Sequence, residues 1–487
     1  MADKVIKIHP MTRLEGHGKI IIFLNDKGDV EDAYLQVVEF RGFERFCKGR
    51  PVEEMPLITP RICGVCSWAH HMASTKAVDS VYHVAPAEKA RKLRELAYNA
   101  FYIHDHSAIF YVLSAPDFVV GPNAPRPDRN VLGVARKLGV DVVKRVLRTR
   151  KLAAQILQML GGRSVHPSFG LPGGVSKGLS EDERTRVEEY AKELVAFGSF
   201  TLDLLEDVVS RNENHMKMFA TDTYKHKTYY MSLVDDHEKV NYYDGLVKVV
   251  DPEGKQFVKF PGNEYLKHIG EHVEEWTYLK FPFLKAVGWK GLIDGKDSGI
   301  YRVGPLARLN TSEGFATPLA DEAYRNLISV LGKPVHTALA YHWGRVLEIL
   351  NAAERVSELS QDKEIVGKNI RNMPREKPDE GVGIVEAPRG TLIHHYRTNN
   401  EGLLTDVNLI VATVHNNAGM CMSVKKSAQQ LIKQDNVDNG LLNMVEMAFR
   451  AYDPCLACGT HALPGHMPIE IEIYDAGERL VRNIRRD

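Results

Sequence analysis

Apolar residues alternate with polar ones at two places near the start of the chain, in "GKIIIFLNDKGDVEDAYLQVVEF". The intervening "NDKGD" is a turn, so the stretch predicts a β-hairpin within the first forty residues. Beyond residue 85 the spacing changes to that of helices. Residues 86–115 open on a proline and carry a long helical stripe. Residues 130–162 also have a helical period, with a break predicted near Gly139. Residues 180–209 begin "SEDE", a serine followed by acids that complement a helix N-terminus. Further helical runs cover 315–331, 341–363, 418–435 and 439–450. Between them, 161–176 reads as a turn-rich loop and 221–312 as mixed short strands. The segment 383–413 is β-rich, and 467–477 reads as one alternating strand. The predicted class is α+β: a mainly helical body, a large bundle, with β elements at the N-terminus, in 383–413 and near the C-terminus.

Charge adds little to this picture. The chain has 487 residues with 63 basic and 63 acidic side chains, a formal net charge of zero. No basic field recommends nucleic acid as a partner, and no acidic excess recommends disorder. The N-terminus has no apolar signal segment, and no run approaches the ~18 apolar residues of a membrane span. The expectation is an intracellular, soluble protein.

The cysteines change the picture most. There are six, too few for a disulfide scaffold. Four form two CxxC pairs: Cys63 and Cys66 in "RICGVCSWAH" (61–70), and Cys455 and Cys458 in "DPCLACGTH" (453–461). Cys47 and Cys421 are isolated and read as packed small hydrophobes. Two CxxC turns offer four thiolates to one site if the fold joins the chain's ends. A structural zinc gathers its ligands locally to organise a small fold, which a chain of this length does not need. A core-embedded centre serving chemistry is the preferred reading. A structural zinc on all four cysteines and two unrelated redox pairs remain alternatives.

The two motifs resemble the paired nickel-ligand motifs of the large subunit of [NiFe] hydrogenases. "TRLEGHG" (12–18), "FRGFE" (40–44), "GGRSVHP" (161–167), "EAPRG" (386–390) and "NLIVAT" (408–413) resemble further motifs of that family, in the expected order. The resemblance implies nickel bound by all four cysteines and iron bridged through Cys66 and Cys458, with Cys63 and Cys455 terminal on nickel. It also implies carbonyl and cyanide ligands on the iron. Soft thiolates suit a nickel ion that changes redox state. By the same resemblance Arg389 overhangs the open metal face, and Val411, Ala412 and Thr413 surround a diatomic ligand. Many members have proline where this chain has Ala412; "VAT" is more typical of the cytoplasmic, cofactor-linked branch. Glu15 is the implied proton carrier beside Cys455. Glu44, His461 and a carbonyl near Leu409 or Ile410 are the implied magnesium ligands. His70 is placed to hydrogen-bond a bridging sulfur, and Asp453 to fix the loop before Cys455 and bond to Arg389. A packed histidine and a turn-capping aspartate are the plainer readings of these two, and a surface acid beside Arg41 and Arg45 is that of Glu44. His104 and His106, two apart, do not share a helix face and are left as packing or supporting residues.

The implied function is reversible hydrogen activation, H2 ⇌ 2H+ + 2e−. Its cofactors are Ni, Fe with CO and cyanide, and Mg. With no other cysteine cluster here, electrons must leave through an iron–sulfur small subunit. Beyond it the resemblance implies an electron-transfer subunit with iron–sulfur or flavin groups, and a heterodisulfide reductase complex as a further candidate partner. The branch most resembled is the methanogen non-deazaflavin-reducing, methyl-viologen-reducing type. Opposing readings are a relative that lost its cluster and a four-cysteine zinc scaffold. The resemblance also divides the chain: residues 1–461 form the large-subunit domain, and 462–487 a tail cut by a maturation protease after nickel chaperones load the site.

Overall fold

The computed structural model describes residues 4–39, 41–434, 436–461, 469–475, 477 and 479–486. Four long helices make the body: Glu88–Ala108, Val140–Gly161, Glu181–Leu205 and Ala340–Gln361. Ala340–Gln361 packs on Glu88–Ala108 and Glu181–Leu205, and Val140–Gly161 packs on both of those. The predicted break at Gly139 is present: Val131–Leu138 ends there, at φ 92°, and Val140–Gly161 begins. The helix Glu181–Leu205 opens with a capping box in which the Ser180 side chain accepts from Glu183 N–H and the Glu183 side chain accepts from Ser180 N–H.

The N-terminal hairpin pairs Lys19–Leu24 with Val30–Gln36, and Lys4–Ile8 adds a third antiparallel strand. Glu380–Ala387, Gly390–Thr398 and Leu404–Ile410 form a second three-stranded antiparallel sheet. The mixed segment contains a sheet ordered 301–302, 229–234, 246–250, 256–260, whose first pair is parallel. Its neighbour is the hairpin Ile269–Val273 with Lys280–Leu284. In 161–176 only Gly170–Leu171 and Gly174–Val175 pair.

Several elements escaped the periodicity, among them the helices Glu213–Ala220 and Pro305–Thr311, and for two more the reason is plain. The helix Ser67–Val81 is buried on nearly every side, so it has no polar face to reveal a period. It lies close against the strand Glu380–Ala387: a Cβ on Gly383 would fall 2.1 Å from the carbonyl oxygen of Ala73. The strand Leu480–Arg486 pairs with Ile469–Tyr474 as a hairpin. The predicted strand 467–477 is thus described from residue 469; residues 467, 468 and 476 lie outside the described residues, as do 462–466, 478 and 487 of the tail. Phe40 of "FRGFE" lies outside them too. No described helix is long and apolar enough to cross a membrane.

Candidate metal centre

The chain's ends meet inside the molecule. A short 3-10 turn, Thr59–Ile62, leads into Cys63, and Cys66 caps the helix Ser67–Val81. Cys455 precedes the short helix Leu456–Gly459, which carries Cys458. Glu15 holds this second loop by backbone pairing: its N–H donates to Pro454 O (3.3 Å) and its carbonyl accepts from Leu456 N–H (3.0 Å). Arg41 ties the two loops together, donating to the carbonyls of Ile62 and Ala457. Arg41 had no role of its own in the sequence reading; its place in "FRGFE" was the available signal.

The four sulfurs are buried and lie within 4.8 Å of one another. Cys63 Sγ is 3.4 Å from Cys455 Sγ, Cys66 Sγ is 3.3 Å from Cys458 Sγ, and Cys455 Sγ is 2.8 Å from Cys458 Sγ. Cys63 Sγ also accepts the backbone N–H groups of Val65 and Cys66, both at 3.2 Å. The neighbouring thiols, Cys455 first, hold Cys63 well below its ordinary pKa, whereas burial pushes Cys455 and Cys458 well above theirs. Four soft donors converging in a dry site fit a thiophilic metal whose binding displaces the thiol protons.

Around the sulfurs lies a small cavity lined by Cys66, His70, Arg389, Val411, Ala412 and Thr413, among others. Thr413 Oγ1 accepts the Cys455 N–H at 3.2 Å. Arg389 sits on the turn between Glu380–Ala387 and Gly390–Thr398 and is 3% exposed. Its Nε donates to Asp453 O at 2.9 Å, while its guanidinium pairs with Asp453 Oδ2 at 2.9 Å and Asp105 Oδ2 at 3.3 Å. Against the desolvation of burial, Asp105 and then Asp453 hold the guanidinium well above its ordinary pKa. Burial pushes Asp453 up to about 7 despite Arg389 and Arg345. Asp105 was missed, although it stands between the two histidines of "YIHDHS". Of those, His106 Nε2 lies 2.7 Å from Glu348 Oε2, and His104 meets Arg150; neither reaches the sulfurs by a hydrogen bond.

Glu15 Oε2 accepts from Cys455 Sγ at 2.9 Å and from Ala457 N–H at 3.1 Å. Burial raises its carboxyl above the ordinary value in spite of both bonds. His70 Nε2 lies 3.9 Å from Cys458 Sγ, and burial lowers its pKa to about 3, so the imidazole is neutral. Glu44, Leu409 and His461 also converge. Glu44 Oε1 accepts Leu409 N–H at 2.8 Å and is 3.7 Å from His461 Nε2, which lies 2.7 Å from Leu409 O. The carbonyl brought here is that of Leu409; the Ile410 carbonyl makes no bond to this pair. Cys47 and Cys421 are buried away from the site, and burial raises both thiols, as packed hydrophobes require.

Comparison with known proteins agrees with this geometry. A profile described as nickel-dependent hydrogenase matches residues 41–138 and 216–461, and one described as HoxL-like matches 5–40. The chain is 51% identical to an F420-non-reducing hydrogenase iron-sulfur subunit of Archaeoglobus profundus, over 99% of each chain. It is 37% identical to the beta chain of the NAD-reducing hydrogenase HoxS of Cupriavidus necator, over 99% of each chain. A solved NAD+-reducing [NiFe]-hydrogenase in the H2-reduced state superposes with a TM-score of 0.88 at 35% identity, covering 94% of this chain and 99% of that chain. The chain therefore belongs to the nickel-dependent hydrogenase family. Within it, this is a catalytic large subunit of the F420-non-reducing type, an oxidoreductase that activates hydrogen at a metal centre and passes electrons to a partner subunit.

Proposed function

We propose that this chain splits hydrogen heterolytically and reversibly at a nickel–iron centre held by Cys63, Cys66, Cys455 and Cys458. The observation that carries the reading is the convergence of four buried sulfurs from the two ends of the chain. All four would hold nickel, Cys66 and Cys458 would hold iron as well, and carbonyl and cyanide would complete the iron's ligands. When bound, the centre supplies Lewis-acid and redox chemistry toward hydrogen.

The chain's own residues do the rest. Arg389, fixed by Asp105 and Asp453, holds a cation over the open face of the sulfurs, where it stabilises negative charge. Val411, Ala412 and Thr413 line the cavity beside the sulfurs and would wall the diatomic ligands. Glu15 takes the proton that reaches Cys455 Sγ; their 2.9 Å contact and the raised carboxyl pKa support this role. Glu44, Leu409 O and His461 hold a hard divalent cation, magnesium in our reading. Their convergence supports it, and the ion's place is to lock the C-terminal segment against the second sheet.

Electrons leave through the small subunit, which holds iron–sulfur clusters, to an iron–sulfur or flavin carrier; the names of the relatives support this assignment. A heterodisulfide reductase complex is the acceptor we favour for this cytoplasmic, methanogen-like type. Residues 1–461 are the working domain, and 462–487 a tail removed by a maturation protease after nickel chaperones act. The family match ending at His461 supports that boundary.

Hydrogen/deuterium exchange by the purified assembly tests the reading. The unmodified enzyme is expected to exchange, and Glu15→Gln to lose exchange at least tenfold with nickel and iron contents unchanged. No exchange in the loaded unmodified enzyme would remove the function, and near-normal exchange in Glu15→Gln would remove only its role as relay.

A further inference from the structure

His70 does not face Cys458 alone. It stands on the helix Ser67–Val81, one turn beyond Cys66, with Ser74 one turn further on. His394 and Tyr396, alternate residues of the strand Gly390–Thr398, meet that helix. His70 Nδ1 lies 3.1 Å from His394 Nε2, and His394 Nδ1 lies 2.6 Å from Tyr396 Oη. Ser74 Oγ is 2.9 Å from the same hydroxyl. His70, His394, Tyr396 and Ser74 are all 0% exposed.

A neutral imidazole has one donor nitrogen and one acceptor. Two in series must therefore point the same way, and the groups at the ends decide which. A metal-ligating thiolate at Cys458 accepts only. The sense compatible with it runs from Tyr396 Oη–H to His394 Nδ1, from His394 Nε2–H to His70 Nδ1, and from His70 Nε2–H to Cys458 Sγ. The Tyr396 hydroxyl has one hydrogen, placed to go to Ser74 Oγ at 2.9 Å, and serves this sense by turning it to His394 Nδ1 at 2.6 Å while Ser74 keeps its own hydroxyl for another acceptor. Burial keeps His394 well below its ordinary pKa, so it stays the neutral, two-faced ring that the series needs. All four residues are buried, as is Thr59, which also bonds the Tyr396 hydroxyl, so the series gives no proton to solvent. It fixes the placement of hydrogens.

We propose that His394 and Tyr396 are positioning residues that hold the His70 N–H on the Cys458 sulfur and so limit how much electron density that sulfur gives the centre. This rests on the reading of Cys458 as a bridging ligand.

The test uses the purified assembly with Tyr396→Phe, His394→Leu and His394→Gln, read by infrared spectroscopy of the diatomic ligands and by redox titration of nickel. The Phe and Leu variants are expected to keep their metals but to move the carbonyl stretch to lower wavenumber and the nickel midpoint to more negative potential, Leu further than Phe. Gln keeps an amide N–H for His70 Nδ1 and is expected to return both toward the unmodified values. A purely structural role predicts no such rescue, so a Gln variant shifted as far as Leu overturns the proposal. Unshifted Phe and Leu variants overturn it equally, and Tyr396→Phe decides alone if His394→Leu does not load. Absence of diatomic bands in the unmodified loaded enzyme would instead overturn the reading of the centre itself, and this proposal with it.

Discussion

Asp105 and His71 show what single residues contribute here beyond the cysteines. Asp105 was unreadable from sequence because its neighbours His104 and His106 look like the chemistry, yet the helix turns the aspartate, not the histidines, toward Arg389. The cysteines, Glu15, Arg389 and His461 were legible because each stands in a motif of unusual composition. Their partners across the fold were not, since no local pattern encodes a contact hundreds of residues away. His71 illustrates the cost of such contacts. Its Nδ1 lies 2.6 Å from Pro56 O and its Nε2 accepts the Gly170 N–H at 2.7 Å, which pins a neutral ring inside the protein. Burial lowers its pKa to about 4. Between that value and the ordinary ~6.5 the unfolded chain binds more protons than the folded one. Stability is thus full above about pH 6.5 and is lost as pH falls through 4, by roughly 3 kcal/mol from this residue alone. His415, lowered to about 3 by burial, acts in the same direction. Melting temperature measured from pH 7.5 to 4.5 is expected to fall steeply, and less steeply in His71→Gln; a flat profile would contradict this.

Among elements, the turn carrying Arg389 brings a buried, doubly paired cation to the proposed centre. The strands Glu380–Ala387 and Gly390–Thr398 pair up to Ala387 opposite Gly390, leaving Pro388 and Arg389 as the tip. Gly390 sits at φ +133°, and a Cβ there would lie 2.2 Å from Val303 Cγ2. Both backbone and space require glycine. Gly390→Ala is expected to destabilise by about 1–3 kcal/mol and to displace Arg389, so that hydrogen oxidation drops more than the amount of folded protein does. Activity per folded, metal-loaded molecule checks this; an unchanged value would separate the turn from function. Val140–Gly161 and Glu181–Leu205 were legible because each keeps a wet face. The helix Ser67–Val81 was not, since it is buried almost all round. The strand Leu480–Arg486, in the charge-rich "ERLVRNIRR", offers no clean alternation.

For the whole molecule, the central fact is closure. Glu15 and Arg41 from the start of the chain bind the loop around Cys455 and Cys458 near its end, and the second sheet supplies Leu409 and Arg389 between them. A site assembled this way exists only when the entire domain is folded, so metal loading and folding are coupled. The proposed tail is compatible with the same geometry: among the described residues His461 is the last tied into the site, its carbonyl accepting Phe43 N–H at 2.7 Å. Intact-mass measurement of the enzyme from its native host is expected to give a chain ending at His461. A full-length chain carrying nickel would contradict the tail's role and leave the centre untouched.

The most direct test of the account is infrared spectroscopy of the purified, metal-loaded enzyme, with nickel and iron determined on the same sample. The account predicts sharp bands from metal-bound carbonyl and cyanide, with nickel and iron near 1:1, all lost in Cys458→Ser. A folded, fully occupied protein that holds zinc alone and shows no such bands would contradict it.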